Sequence, residues 1–269
     1  MWTRADLKSN AKDVLRKYYW WALLVCFVGG LFSGQGVGEL SINFGNIFNL
    51  NTNNNDFNSF DKSADFNSFF SSIDWTFIAP LIAFFVILLF FIFVLSITYQ
   101  IFIGNVIIVG INKYFLEAKK DKSKFSNLFY SFNGQRYLNI VIAMAWKELF
   151  VFLWSLLFII PGIIKGISYS MVPYIMAENP KMRYDDAIKL SMKMTCGEKA
   201  EIFVLGLSFL GWFLLGILLC FVGILFVYPY YYATFAELYI TLRDKAISNG
   251  NATLEDFGIV RALTIEQEN

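Results

Sequence analysis

Long apolar runs with basic residues gathered between them constrain this chain more than any other feature. Of its 22 Lys and Arg residues, all but Lys62, Lys147 and Lys165 fall in four clusters: Arg4 to Lys17, Lys113 to Arg136, Lys181 to Lys199, and Arg243 onward. Apolar runs of this length are candidates to span a membrane, and Lys and Arg accumulate in the connections left on the cytoplasmic side. The spacing therefore predicts both insertion and orientation. Composition agrees, because 57% hydrophobic and 16% charged residues over 269 positions exceed what a soluble core of this size hides.

The same composition narrows the chemistry. A net charge of +1 gives a nucleic-acid role no global electrostatic support. Histidine is absent, which removes Ser-His-Asp and Cys-His catalysis, His-ligated metals and His proton relays together. Cys26, Cys196 and Cys220 have no C-x-x-C spacing, so neither a disulfide framework nor a zinc site is expected. No cofactor or metal site is expected, and no nucleotide-binding G-x-x-x-x-G-K-[ST] loop occurs.

Along the chain, Thr3 reads as an N-cap with Asp6 three residues on, and Leu7, Ala11, Leu15 and Tyr18 share one helical face. Lys8, Lys12 and Arg16 form a separate basic stripe. This amphipathic helix runs into Tyr18-Tyr19-Trp20-Trp21, as an interfacial anchor would, and continues as an uncleaved first span over about 18–38. Residues 39–76 are Asn-rich and acidic, with Asp56-Phe57-Asn58-Ser59-Phe60 copied as Asp65-Phe66-Asn67-Ser68-Phe69. They read as an extracellular spacer expanded by local duplication.

Phe77 to Ile111 would reach about 50 Å as one helix against a hydrocarbon core of about 30 Å. Two crossings would put the Lys113 to Arg136 cluster outside, so one span over about 77–98 with a cytoplasmic amphipathic extension is expected. Keeping the 181–199 cluster inside requires two more spans, about 138–160 and 163–178, with Pro161-Gly162 as their hairpin. Two further spans between Ile202 and Leu242, turning near Phe221 to Gly223, complete the expected fold. It is an all-α polytopic membrane bundle of about six helices, with an N-terminal amphipathic helix and a second one between spans four and five. Residues 1–243 are read as a single membrane domain, and 244–269 as a short polar cytoplasmic tail.

Several blocks carry a resemblance. They are Met1-Trp2-Thr3-Arg4, Leu153-Trp154-Ser155-Leu156 through Ile160-Pro161-Gly162-Ile163-Ile164-Lys165, Tyr169, Pro173-Tyr174, Ser191-Met192-Lys193-Met194, Leu207-Ser208-Phe209-Leu210-Gly211-Trp212, and Tyr228-Pro229-Tyr230 with Ala233 and Tyr239. Together they resemble the bacterial multi-pass membrane family catalogued as domain of unknown function 975, found mainly in Gram-positive bacteria. The resemblance implies a bacterial plasma membrane and no particular activity. The Asn-rich segment is where this chain departs from the family.

Ionisable residues inside apolar runs are costly and therefore candidates for function: Lys147, Glu148, Lys165 and Glu237. Lys165 and Glu237 also fit boundary positions from which a side chain snorkels. Lys147 and Glu148 point about 100° apart on a helix and are not expected simply to neutralise each other, so at least one is expected to need another partner, Glu237 or a water-filled cavity. Pro161, Gly162, Pro173 and Pro229 are candidate helix breaks, and Gly206, Gly211 and Gly216 offer small surfaces for close helix packing. Lys8, Lys12, Arg16, Lys189 and Lys193 are candidate lipid-facing cations.

Three classes of function follow. The first is a non-catalytic membrane protein whose basic cytoplasmic faces meet anionic lipid or a membrane or cytoplasmic protein partner. A transporter using Pro-broken hairpins is the second. The third, a lipid-acting enzyme, would have only Asp185-Asp186 to work with, and that pair reads more simply as the first turn of a solvated helix. Both termini are expected to be cytoplasmic.

Overall fold

The computed structural model describes residues 2–33, 75–122, 124–132, 134–218 and 222–259. The duplicated segment, Cys220 and the tail beyond Ile259 lie outside them. The chain divides into two compact units, Val37–Tyr99 and Met1–Gly36 with Gln100–Asn269.

In the first of these units the described part is one helix, α2 (Trp75–Tyr99). Every side chain from Ala79 to Tyr99 is exposed. An apolar helix that is polar on no face needs an apolar solvent, and a bilayer supplies one.

The larger unit contains α1 (Arg4–Ser33), a π-helical turn (Gln100–Gly104) leading into α3 (Asn105–Lys119), a 3-10 turn (Phe125–Phe132), α4 (Gly134–Leu157), α5 (Ile159–Ser168), α6 (Val172–Glu178), α7 (Tyr184–Met194), α8 (Lys199–Leu218) and α9 (Val222–Ser248). Among the described residues there is no strand, so the all-α expectation holds. Four stretches are long and apolar enough to cross a membrane: Ala79–Lys119, Arg136–Leu157, Ile159–Glu178 and Lys199–Leu218. The six expected spans thus compare with four among the described residues, and neither α1 nor α9 is one of them.

Helix α9 is the axis of this unit. It packs most extensively along α1 and next along α8, and it also meets α3 and α7. Residues Tyr232 to Tyr239 are buried on every face of the helix, the mark of a core element rather than a lipid-facing one. Pro229 lies inside it, yet the helix runs through, so the break expected there does not occur. The missing N–H removes one backbone bond, and packing around the next turns holds the helix together.

Helix α1 begins as its sequence predicts, with the Asp6 N–H donating to Thr3 Oγ1 at 3.1 Å. It departs from helical geometry at Tyr18 (φ −126°, ψ 17°), where the amphipathic segment was expected to meet the first span. Leu7, Ala11, Leu15, Ala22, Val25 and Cys26 form one continuous buried stripe across that kink. The N-terminal segment is therefore part of the protein core and not a helix lying apart on a surface.

The α4–α5 hairpin turns at Phe158, whose backbone is extended (φ −157°, ψ 146°), three residues before Pro161. Pro161 then falls in the first turn of α5, where a helix does not require the N–H that proline lacks. Gly162 is the contact residue: a Cβ there would lie 2.8 Å from Ser155 Cα. Gly216 does the same for α8 and α9, since its Cβ would lie 2.8 Å from Ile224 N. Gly206 and Gly211, in contrast, face open space, so they are not the close-packing surfaces expected of them.

Between α5 and α6 the chain breaks over Tyr169 to Met171, and Pro173 sits in the first turn of α6. The Ser168 carbonyl, freed by that break, accepts the Ser191 hydroxyl at 2.7 Å from α7. The gap in the helix is closed from within.

Candidate functional site

Each charge singled out in the apolar runs has a local partner or an aromatic wall. Lys147 Nζ donates to Glu148 Oε1 at 2.9 Å, so the two neighbours do neutralise each other, contrary to the expectation that at least one of them needs a partner elsewhere. The flexible lysine stem curls across the 100° that separates the two positions. Lys165 lies with its ammonium 5.0 Å from the Trp154 ring centroid and 5.9 Å from that of Tyr169, a cation–π arrangement within the α4–α5 hairpin. Glu237 is buried on α9 and pairs with Lys119 at the end of α3, and not with Lys147 or Glu148.

Further pairs fasten the same end of α9. Arg243 Nη1 donates to Glu178 Oε1 at 2.6 Å, while the Tyr239 hydroxyl donates to Glu178 Oε2 at 2.7 Å. Lys245 pairs with Glu198, whose other oxygen accepts the Trp2 indole N–H at 3.1 Å. Glu178 is 7% exposed and Arg243 14%, so this bridge is the most enclosed of the three. The sequence patterns did not single out Glu178 or Glu198, and Lys119 entered only as a member of the Lys113 to Arg136 cluster.

The N-terminal basic stripe is partly turned inward. Lys8 Nζ donates to Ser208 Oγ at 2.8 Å and lies 4.8 Å from the Phe209 ring centroid. Burial first, then the nearby charges of Arg4 and Lys12, push its pKa down. Lys12 keeps contact with solvent but sits over Tyr230 at 5.9 Å. Of the expected stripe, Arg16 alone projects freely, with a loose approach to Asp13 at 4.0 Å.

The second basic cluster behaves differently. Asn179, Lys181, Met182, Arg183, Asp186, Lys189, Leu190, Lys193, Asn251 and Asp256 line a polar cleft of about 460 Å³ between the α6–α7 connection, α7 and the segment after α9. Its geometry is fixed by backbone contacts. The Asn139 amide of α4 donates to the carbonyls of Pro180 and Met182, both at 2.7 Å, and the Asn179 amide donates to the Asp256 carbonyl at 3.0 Å. Gly258, in the left-handed region at φ 69°, brings that segment against Asn179.

Within the cleft the cations are unequally matched. Asp185, at the start of α7, approaches Arg183 at 3.2 Å and Lys189 at 3.5 Å. Burial would raise the Asp185 pKa, but the charges of Arg183 and Lys189 outweigh it and hold the carboxyl below its ordinary value. The Asp256 carboxylate accepts the Thr253 N–H at 2.7 Å and its hydroxyl at 3.0 Å. Lys181 and Lys193 have no ion-pair partner among the described residues. Sequence reading identified Lys189 and Lys193 but missed Asn251 and Asp256, which come from the segment read as a short polar cytoplasmic tail.

These features define a helical protein with apolar helices suited to a membrane and a polar end rich in paired charge. The model of the family described as Protein of unknown function (DUF975) matches residues 156–246, which shows the resemblance over that segment. The match runs from the end of α4 through most of α9 and takes in Glu178, Glu198, Glu237, Arg243 and the 179–193 wall of the cleft. It leaves out Trp2, Lys119, Asn251 and Asp256. No curated protein and no solved structure matches the chain.

Proposed function

We propose that this chain is a non-catalytic integral membrane protein of a bacterial plasma membrane, with both termini cytoplasmic, whose basic inner face binds anionic lipid. The observation that carries this reading is the exposed, incompletely neutralised cation group Lys181, Arg183, Lys189 and Lys193, set between two stretches able to span a bilayer. Cations next to the end of a span meet the negative surface potential of the inner leaflet, worth about 1 kcal/mol for each Lys or Arg close to it. The alternatives draw less support. A transporter built on broken helices would use freed backbone groups to hold its substrate, but the Ser168 carbonyl at the α5–α6 break is taken by Ser191. An enzyme using Asp185-Asp186 would need a free carboxylate pair, and Asp185 is engaged by Arg183 and Lys189.

Purified protein in nanodiscs tests the reading. Replacing part of a phosphatidylcholine bilayer by phosphatidylglycerol is expected to raise the unfolding temperature, and added salt to erase the gain; identical melting in both bilayers refutes it. Orientation is checked in a cysteine-free background, in which Ser59→Cys and Ser68→Cys label from outside and Ser126→Cys and Ser248→Cys from inside.

A further inference from the structure

Resting on the reading of an anionic-lipid face, we infer that the cleft beside α7 is a discrete site for one phosphodiester headgroup, with the Lys181 and Lys193 ammoniums as its phosphate ligands. Charge comes first. Four cations, Lys181, Arg183, Lys189 and Lys193, and two carboxylates, Asp186 and Asp256, line the cleft, while Asp185 beside it pairs with Arg183 and Lys189, so the group as a whole carries one positive charge in excess, the complement of a single phosphodiester. Arg183 and Lys189 are held by Asp185, and Asp256 caps its own turn, so the two unmatched lysines carry that excess.

Form comes next. A diffuse electrostatic contact needs no cavity, whereas this one has about 460 Å³ of space and a buried apolar base in Leu190. Its walls come from segments far apart in sequence and are pinned by the Asn139 and Asn179 amides, so the lysines are presented by a fixed backbone. Depth then selects a lipid over a free anion. Asn179 directly follows the stretch Ile159–Glu178 and the cleft wall ends shortly before Lys199–Leu218 begins, so the connection returns at the level where both stretches leave the apolar layer. A lipid phosphate resides at that level already, with its acyl chains in the bilayer, and gives up little freedom on entering.

The test counts phosphatidylglycerol molecules retained on the full chain by native mass spectrometry after release from nanodiscs of mixed phosphatidylcholine and phosphatidylglycerol. Wild type is expected to hold one tightly bound phosphatidylglycerol. The double variant Lys181→Ala/Lys193→Ala is expected to need about tenfold more of that lipid for equal occupancy, the loss of one or two charge-assisted contacts. A control of equal charge change, Lys120→Ala/Lys124→Ala, is expected to behave as wild type. All three should melt alike in pure phosphatidylcholine, since the substituted side chains are exposed.

The outcomes separate the two claims. Equal retention by all three proteins overturns the cleft while leaving the lipid-binding face intact. No gain in melting temperature from phosphatidylglycerol in any of them removes the face and the cleft together. If millimolar inorganic phosphate protects the detergent-solubilised wild type as well as the lipid does, and the double variant loses that protection, the site belongs to a free anion and the lipid assignment falls.

Discussion

The two charged regions at the polar end use the same residue types for opposite ends. Around α9, Glu178, Glu198 and Glu237 each face a cation, and each pair joins α9 to another part of the chain: Arg243 to Glu178 of α6, Lys245 to Glu198 ahead of α8, Glu237 to Lys119 of α3. In the cleft, Lys181 and Lys193 face no acid of their own among the described residues. A buried charge with a partner fixes geometry, because losing either member strands the other; an exposed charge without one is free to meet a ligand. Position in a basic cluster therefore says little about role. The presence of a built-in counterion says much more.

The sharpest way to break this contrast is to remove the most enclosed acid. Glu178→Ala leaves Arg243, 14% exposed, with only Asp244 beside it and deprives the Tyr239 hydroxyl of its acceptor. Stranding a buried charge costs about 3–5 kcal/mol, so thermal unfolding should show a large loss, only partly restored in Glu178→Gln. Unchanged melting would mean that this clamp is ornamental. Lys245→Met comes next. It leaves Glu198 with the Trp2 N–H alone, and a half-satisfied buried acceptor costs about 1–3 kcal/mol. Alanine at Lys181, by the same contrast, should leave the melting temperature in phosphatidylcholine where it was.

A smaller effect tests a third kind of pair, the exposed one. Lys17 Nζ and the Tyr18 hydroxyl both donate to Asp121 Oδ1, each at 3.2 Å, tying the kink of α1 to the residue just past α3. Those hydrogen bonds, the Lys17 one foremost, hold the Asp121 carboxyl below its ordinary value of 3.8. A carboxyl depressed in the folded state stabilises it above the unfolded pKa, and the stabilisation fades as pH falls through the folded one. The melting difference between wild type and Asp121→Asn should thus be constant near neutrality and vanish on acidification below about pH 4. A difference that grows with acid would reverse the sign of the argument.

How much of this was legible follows the range of each interaction. The Thr3 cap and the change of helix at Tyr18 depend on neighbours within four residues, and the sequence carried both. The α4–α5 turn was placed at Pro161 and occurs at Phe158, because proline is favoured inside a helix's first turn as well as after its end. Pro229 was misread because only tertiary packing decides whether a helix survives a proline. The clamps were invisible for a different reason: Glu178 and Arg243 are separated by 65 positions, and no local pattern signals a pair at that distance. The cleft was half visible, since α7 shows its basic face while Asn251 and Asp256 join it only through the return of the chain after α9.

Lys147 and Glu148 provide the finest test of the contrast. They sit side by side within Arg136–Leu157, a stretch suited to a bilayer, with the lysine side chain 17% exposed and the glutamate 49%. If they belong with the clamps of α9, their role is to cancel each other, and removing both should cost almost nothing. Lys147→Met alone leaves a carboxylate facing an apolar surrounding, and Glu148→Gln alone leaves an ammonium there, so each single change should destabilise more than the pair together. The double-mutant cycle should therefore show a coupling of about 0.5–3 kcal/mol opposite in sign to simple addition. Additive losses would mean that each charge has a separate task in the membrane, as the angular separation of adjacent helix positions first suggested. Coupled losses would place the pair with Glu178 and Arg243, as charges whose partner is already built into the chain.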